Sequence, residues 1–361
     1  MNRLFIFFFL CAVAYASPQV EVYMGWCCDA KGQELFGKAE DKAWNEIGTN
    51  SKLARKLGES GIEIRSWEFN KHRPELLNWS GVRSWADLLT WAMPKKADVK
   101  DTIWLFWSLG PQLKELDLGR VPKEHKILMI FEPPSVQKEG YDPKVWEQFS
   151  KILTWDDDLV DGKKFFKYYY PVLRQRISEI VPFEEKKLCC LFGTRRSSKH
   201  PDELYSERER VIRFYEDKTD EFDLYGMFWE KRNYKNSRGR VLEKLPVLKG
   251  YKFNICYENM TNIRGYVTEK IFDCFHAGVV PIYWGASNID EYVPRACFID
   301  RRDFESDGDV YAYIKGMGKE EYQRYLNAAA DFLQSSEAQL FSDENFIEIV
   351  SAQLNSAVVL K

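Results

Sequence analysis

Apolar residues along this chain gather into short continuous runs, and many of the runs are separated by polar loops and stretches of helical periodicity. In the second half, Leu188–Phe192 (LCCLF), Tyr251–Tyr257 (YKFNICY) and Val279–Trp284 (VVPIYW) read as strands, the last apolar enough for a buried parallel position. From Thr268 onward, Ile271, Cys274, Phe275 and Gly278 follow the i, i+3, i+4, i+7 spacing of a helix face, and Gly278 ends that helix. After LCCLF comes the polar loop Gly193–Tyr205. Ser206-Glu207-Arg208-Glu209 then fits the S-x-x-E capping box, which predicts a helix starting at Ser206 with Val211, Ile212 and Tyr215 on its buried face.

The first half alternates in the same way. Val20–Trp26, Ile62–Phe69, Thr102–Trp107, Ile127–Phe131 and Phe165–Tyr170 read as strands, and Asp41–Leu57 and Trp85–Met93 as helices. Beyond Pro294 the pattern is helical, over Tyr311–Ile314, Glu320–Leu333 and Asn345–Leu354. Strand–helix alternation in both halves predicts an α/β protein of two domains, each a parallel sheet with helices on both faces.

Where the second-half loops enter their helices, the chemistry concentrates. Thr268 as N-cap puts Glu269 and Lys270 in the first turn. Glu is favoured at that positive helix end, whereas Lys is mildly disfavoured. A bound phosphate would resolve the conflict by facing free N–H groups, dipole and ammonium together; the alternative is a solvated surface Lys. Arg208 occupies the first turn of the other helix, so two strand–loop–helix units point to one shared diphosphate. Glu132 directly follows Ile127–Phe131, and Pro133-Pro134 stop the strand there. It therefore emerges at the carboxyl end of a parallel strand, where α/β proteins bind ligands. The pattern alone leaves two roles open for it, a general base or a strand-end carboxylate bonded to backbone.

The segments YKFNICYEN, GYVTEK, AGVVPIYWGASN and YVP, in this order, resemble the donor-binding motif of the α-1,3/1,4-fucosyltransferases (glycosyltransferase family 10). That family moves L-fucose from GDP-fucose to a sugar hydroxyl. Ser206-x-Arg208 followed by FDLYG resembles the family's Arg-bearing helix and next strand, and FEPPS at Phe131–Ser135 its FESP-like element. The likeness is concentrated in Leu188–Asp300. It implies the GT-B architecture, two Rossmann-like domains facing across an active-site cleft, with 17–175 binding the acceptor and 176–361 binding GDP-fucose. It also implies inverting transfer to a glycan hydroxyl, GlcNAc O3 or O4, with Glu132 as base and Arg208 and Lys270 stabilising the departing GDP. Glu269 is a further catalytic candidate. Asn259 and Tyr266 match donor-lining positions, Tyr168–Tyr170, with Tyr169 at their centre, are a candidate aromatic wall, and Gly193 and Thr194 can offer backbone N–H groups to phosphate. Two other readings stay open: a transferase of the same architecture with another nucleotide sugar, and a non-catalytic secreted carbohydrate-binding protein.

Composition sharpens this picture only in places. Hydrophobic content of 45% and 12 Trp suffice for two cores, and a net charge of −3 argues against a nucleic-acid partner. Arg3, the apolar run Leu4–Ala16 and the small-residue site Ala14-Tyr15-Ala16 predict a signal peptide over 1–16 and a secretory destination, the Golgi or ER lumen or a bacterial envelope. The run is shorter than the roughly 20 residues of a spanning helix, so a membrane association would require the segment to be retained. Cys256 and Cys274 fall on buried faces and are expected as packed thiols. Asp156-Asp157-Asp158 includes the D-x-D pattern of metal-dependent transferases, but here it is expected to be a solvated loop. With Arg208 and Lys270 on the diphosphate, no metal is expected to be required, and Mn²⁺ would at most stimulate. The sequon Asn78-Trp79-Ser80 can accept a glycan, whereas Asn259-Met260-Thr261 falls in the donor motif and is expected unmodified.

Overall fold

The computed structural model describes residues 121–177 and 181–359 continuously, and before them the strands at 19–24, 63–66 and 102–107 with scattered positions in 52–59 and at 119. The expected signal segment, the sequon at Asn78, the helix over 85–93 and most of that over 41–57 lie outside the described residues.

Two sheets, parallel throughout their described pairings, form the frame. The first contains β1 (Gln19–Met24), β2 (Glu63–Ser66), β3 (Thr102–Trp107), β4 (Lys126–Met129), β5 (Lys151–Thr154) and β6 (Phe165–Lys167), in the order β2-β1-β3-β4-β5-β6. The second contains β7 (Lys187–Phe192), β8 (Phe222–Tyr225), β9 (Tyr251–Tyr257), β10 (Val280–Trp284) and β11 (Ile299–Asp300), ordered β11-β10-β9-β7-β8. From β7 the chain first moves outward to β8 and then returns to the opposite side of β7 as β9. The carboxyl ends of β7 and β9 therefore flank a switch in winding direction, the place where an open α/β sheet leaves a crevice for ligands. Gly193 and Glu258 are the residues that leave those two ends.

Apolar strands are buried between helices, as both-face coverage requires. The helices that matter are α1 (Tyr205–Phe214), α2 (Glu269–Ala277), α3 (Asp307–Gly316), α4 (Lys319–Phe332) and α5 (Asp343–Val359). The last of them crosses to the first sheet: Phe346, Val350 and Leu354 of α5 share a buried core with Ile103, Leu105, Ile127 and Met129. Cys189, Cys190, Cys256, Cys274 and Cys297 are free and buried, the packed thiols expected at 256 and 274 included.

The Asp triplet is not the solvated loop it was expected to be. Only Asp158 is exposed: Asp156 is buried, which raises its carboxyl to about 6, and Asp157 joins the two halves. The Asp157 carboxylate accepts from Lys167 Nζ at 2.6 Å on the first half, and from Tyr292 Oη at 2.6 Å and Asn288 Nδ2 at 2.9 Å on the second. Beside it, the Trp155 ring packs tilted against Tyr266, their centroids 4.5 Å apart. Gly265 (φ 80°) fits there because a Cβ would lie 2.3 Å from the Trp155 carbonyl oxygen. The triplet's central carboxylate is consumed in joining the halves, and this tertiary partnership is what a local reading of three consecutive Asp could not contain.

Candidate active site

The α2 end of the crevice is organised by a residue that the sequence reading left unassigned. Glu258 follows β9 directly, is 0% exposed, and turns its carboxylate onto the start of α2. It accepts the Thr268 backbone N–H at 3.1 Å and the Thr268 hydroxyl at 2.8 Å, and it pairs with Lys270 Nζ at 2.9 Å. Thr268 occupies the N-cap position as expected, but its side chain does not cap; its hydroxyl bonds to Glu258 instead, a carboxylate placed at the positive helix end. The Thr268 hydroxyl in turn accepts from Lys270 Nζ at 2.9 Å, and Glu269 accepts from the same ammonium at 3.3 Å. Lys270 is only 17% exposed and Glu269 53%. Burial works against the Lys270 charge, yet Glu258 and Glu269 hold its pKa above the ordinary lysine value. Burial also opposes ionisation of Glu269, but Lys270 and Lys244 keep it well below the usual carboxylate range.

The second unit differs from its expected form. Helix α1 starts at Tyr205, and the Ser206–Glu209 capping box is not made. Glu203 caps instead, its carboxylate accepting the N–H groups of Tyr205 at 2.7 Å and Ser206 at 3.1 Å, while Glu209 pairs with Arg213 and Arg232. Arg208 sits within the first turns as expected, but it does not reach into solvent: it is 5% exposed. Its guanidinium donates to the Tyr257 carbonyl at 2.6 Å and to Asn259 Oδ1 at 3.1 Å, with its face 5.2 Å from the Tyr205 ring. Among the described residues no carboxylate lies within ion-pair distance of it. Burial lowers its pKa, against the raising pull of Tyr205 and Glu258.

Across the cleft, Glu132 comes from the first sheet. Its Oε2 is 3.5 Å from Asn259 Nδ2, and Ser135 Oγ donates to the Asn259 carbonyl at 3.4 Å, so the FEPPS element meets the EN element. Burial raises the Glu132 pKa, against the lowering pull of Lys270 and Arg196. Asn259 Nδ2 also donates to Tyr266 Oη at 3.3 Å, placing the buried Tyr266 behind Asn259 rather than on the open surface.

These groups surround one cavity of about 300 Å³. Glu132, Thr194, Arg208, Asn259, Glu269 and Lys270 all line it, as do Arg196, Lys244, Tyr205 and Phe192, which the sequence reading had not singled out. Lys244, on the one-turn helix Lys244–Leu248, is held by Asp273 at 2.9 Å with its ammonium 5.5 Å from the Phe192 ring. The basic character of Gly193–Arg208 was a visible signal for Arg196. Nothing local marked Lys244. Tyr169 does not reach the cavity: its ring packs on Tyr292 and Phe341, and Tyr168 and Tyr170 bond through their hydroxyls to Ile130 and Phe131 carbonyls. The three tyrosines sit at the crossover between the halves and do not line this cavity.

Among the described residues the cavity is thus lined by four cations, Arg196, Arg208, Lys244 and Lys270, with the Glu132 carboxylate reaching in from the first sheet. Residues 185–349, which supply those cations, match the family described as glycosyltransferase family 10 (fucosyltransferase), C-terminal. This segment is a family 10 fucosyltransferase domain. A mouse relative, 4-galactosyl-N-acetylglucosaminide 3-alpha-L-fucosyltransferase 9, is 31% identical over 157 residues, 42% of this chain and 39% of that one. The alpha-(1,4)-fucosyltransferase of Arabidopsis thaliana is 46% identical over 68 residues, 19% of this chain and 17% of that one. The chain matches the first of these curated relatives over about two fifths of their length. Among solved structures, Anabaena HepE, crystallised with UDP and glucose, superposes with a TM-score of 0.53 at 9% identity, covering 93% of this chain and 99% of that one. At that identity the likeness concerns the fold alone, and that fold is GT-B.

Proposed function

We propose that the protein is an inverting fucosyltransferase that moves L-fucose from GDP-β-L-fucose to a hydroxyl of a glycan acceptor, GlcNAc O3 or O4. The observation that carries this reading is the make-up of the cavity. Arg196, Arg208, Lys244 and Lys270 line it, enough positive charge for a nucleoside diphosphate, and Glu132 enters it from the other sheet.

In the transfer, the acceptor oxygen attacks the anomeric carbon from the face opposite the phosphate and its proton passes to Glu132. The bond between that carbon and the phosphate oxygen breaks, and GDP leaves with the bonding pair. A carboxylate with a raised pKa is a stronger base than a solvated one, as general-base catalysis favours. Arg208 and Lys270 stabilise the charge that develops on the leaving oxygen, from a site already folded around it. Glu269 stays ionised beside the sugar end, where it can hold a fucose or ribose hydroxyl or steady positive charge on the ring. The cationic set does the work that a divalent ion performs in metal-dependent transferases. The apolar N-terminal run supports a secretory destination for this activity.

The test is incubation with GDP-fucose and a panel of N-acetyllactosamine, type 1 and chitobiose-core glycans, followed by mass spectrometry and linkage analysis. An α-linked fucosylated product from one of these acceptors is expected. Turnover with another nucleotide sugar, and none with GDP-fucose, would replace the donor in this account.

A further inference from the structure

The Lys270 ammonium in the cavity is engaged by two carboxylates, and the two are not equivalent. Glu269 is half exposed and its contact is the longer one, 3.3 Å. Glu258 is fully buried, lies 2.9 Å from the ammonium, and shares with it the Thr268 hydroxyl, which is 2.8 Å from each Glu258 oxygen and 2.9 Å from Lys270 Nζ. The ammonium is thus held by two buried groups, Glu258 and Thr268, and by the half-exposed Glu269.

We infer that Glu258 is a positioning residue for the transfer reaction: it never meets the donor, but it anchors the Lys270 ammonium and keeps it charged and aimed at the diphosphate. This rests on the proposed function above. When a phosphate arrives, only the exposed contact to Glu269 has to be exchanged for it, while the buried anchor is unchanged. The surroundings of Glu258 fix it in place. Its backbone N–H donates to the Trp284 carbonyl at 2.8 Å, and Gly285 is required beside it because a Cβ there would lie 2.5 Å from Glu258 Cγ.

The anchor needs a carboxylate rather than any polar group. Thr268 N–H, the Thr268 hydroxyl and Lys270 present donors to both Glu258 oxygens, so an amide would turn its NH₂ against one of them. Losing the negative charge also changes what faces Lys270. Arg208 and Lys244 on one side repel the ammonium, while Glu269 and the more distant Glu132 attract it, and burial already disfavours its charge.

The experiment compares wild type with Glu258→Gln by calorimetric titration of GDP between pH 7 and 9, alongside fucose transfer. Glu258→Gln is expected to weaken GDP binding by about tenfold at pH 7. The deficit relative to wild type is expected to widen by at least about threefold by pH 9 as Lys270 loses its proton. A structural defect alone would give a deficit that does not change with pH, and that result would overturn the proposal. If Glu258→Gln fails to fold, Glu258→Gln/Lys270→Gln removes both buried charges, and its GDP affinity should equal that of Lys270→Gln within about twofold. A further tenfold loss in the double variant would show that Glu258 acts on the donor by another route. Wild-type protein that binds no GDP at all would instead contradict the proposed function, independently of Glu258.

Discussion

The two helix starts that face the cavity look alike in sequence and are built on opposite electrostatic plans. Lys270, at the start of α2, is surrounded by Glu258, Glu269 and the Thr268 hydroxyl, and its charge is compensated whether or not a ligand is present. Arg208, near the start of α1, is more deeply buried and among the described residues is held by a backbone carbonyl and an amide oxygen. Neutral acceptors satisfy the direction of its N–H groups but not its charge. A buried guanidinium without a counter-ion costs stability in the empty protein and becomes favourable when an anion arrives. One cation is therefore stabilised by the fold and the other is kept in reserve for the ligand. The pattern of a cation in the first turn does not distinguish the two cases.

The largest effect is expected where the halves meet. Glu132→Gln keeps the shape of the side chain and removes its basicity, so transfer should fall by about 10² to 10⁴, the usual contribution of a positioned base. Because burial raises the Glu132 pKa, the wild-type acid limb should lie above the ordinary carboxylate range, with activity lost as Glu132 is protonated below it. A pH–rate profile should show that limb in wild type and not in the variant.

Next come the two cations themselves. Arg208→Met and Lys270→Met should each lower kcat/KM by at least about a hundredfold, roughly 2.7 kcal/mol of transition-state stabilisation. Steady-state kinetics with GDP-fucose would check this, and wild-type turnover in either variant would remove that residue from the clamp.

Their stabilities should then diverge. Lys270→Met strands the buried Glu258 carboxylate and should cost about 3 kcal/mol. Arg208→Met gives up two hydrogen bonds but also relieves an uncompensated buried charge, and should change stability by less than about 1 kcal/mol. Denaturant unfolding of the ligand-free variants measures both. Equal losses would mean that the contrast between the two helix ends has no energetic content.

The smallest effect is expected from chelation. With four cations lining the cavity among the described residues, EDTA should reduce turnover by less than about tenfold. Complete loss that Mn²⁺ restores would show that these side chains do not replace a metal.

How legible the site was depended on how local its causes are. Tyr251–Tyr257 and Thr102–Trp107 appear with the bounds their sequence predicts, because continuous apolar and β-favouring runs are a local signal. Gly278 ends α2 in the left-handed conformation (φ 65°) that its position implied. Glu132, Arg208, Asn259, Glu269 and Lys270 were recognisable from strand ends, helix starts and motif resemblance, and the structure gathers them around one cavity. Glu258 stood in the same motif but gave no sign of being buried, since nothing in YEN announces a partner ten residues later. Glu203 in place of Ser206 at the α1 start, Asp157 as a joint between the halves, Tyr169 at the crossover and α5 on the first sheet are all tertiary outcomes. Each depends on which segment arrives opposite, and that information is spread over the whole chain.

The central claim is a division of labour, with the nucleotide belonging to the second sheet and the base to the first. Calorimetric titration of GDP into wild-type protein and Glu132→Gln, both in EDTA, tests it most directly. The account predicts that both bind GDP with affinities within about twofold of each other, since Glu132 contributes to the acceptor side and a uniform loss of binding is not its role. Absence of GDP binding in wild type, or its loss in Glu132→Gln, would contradict it.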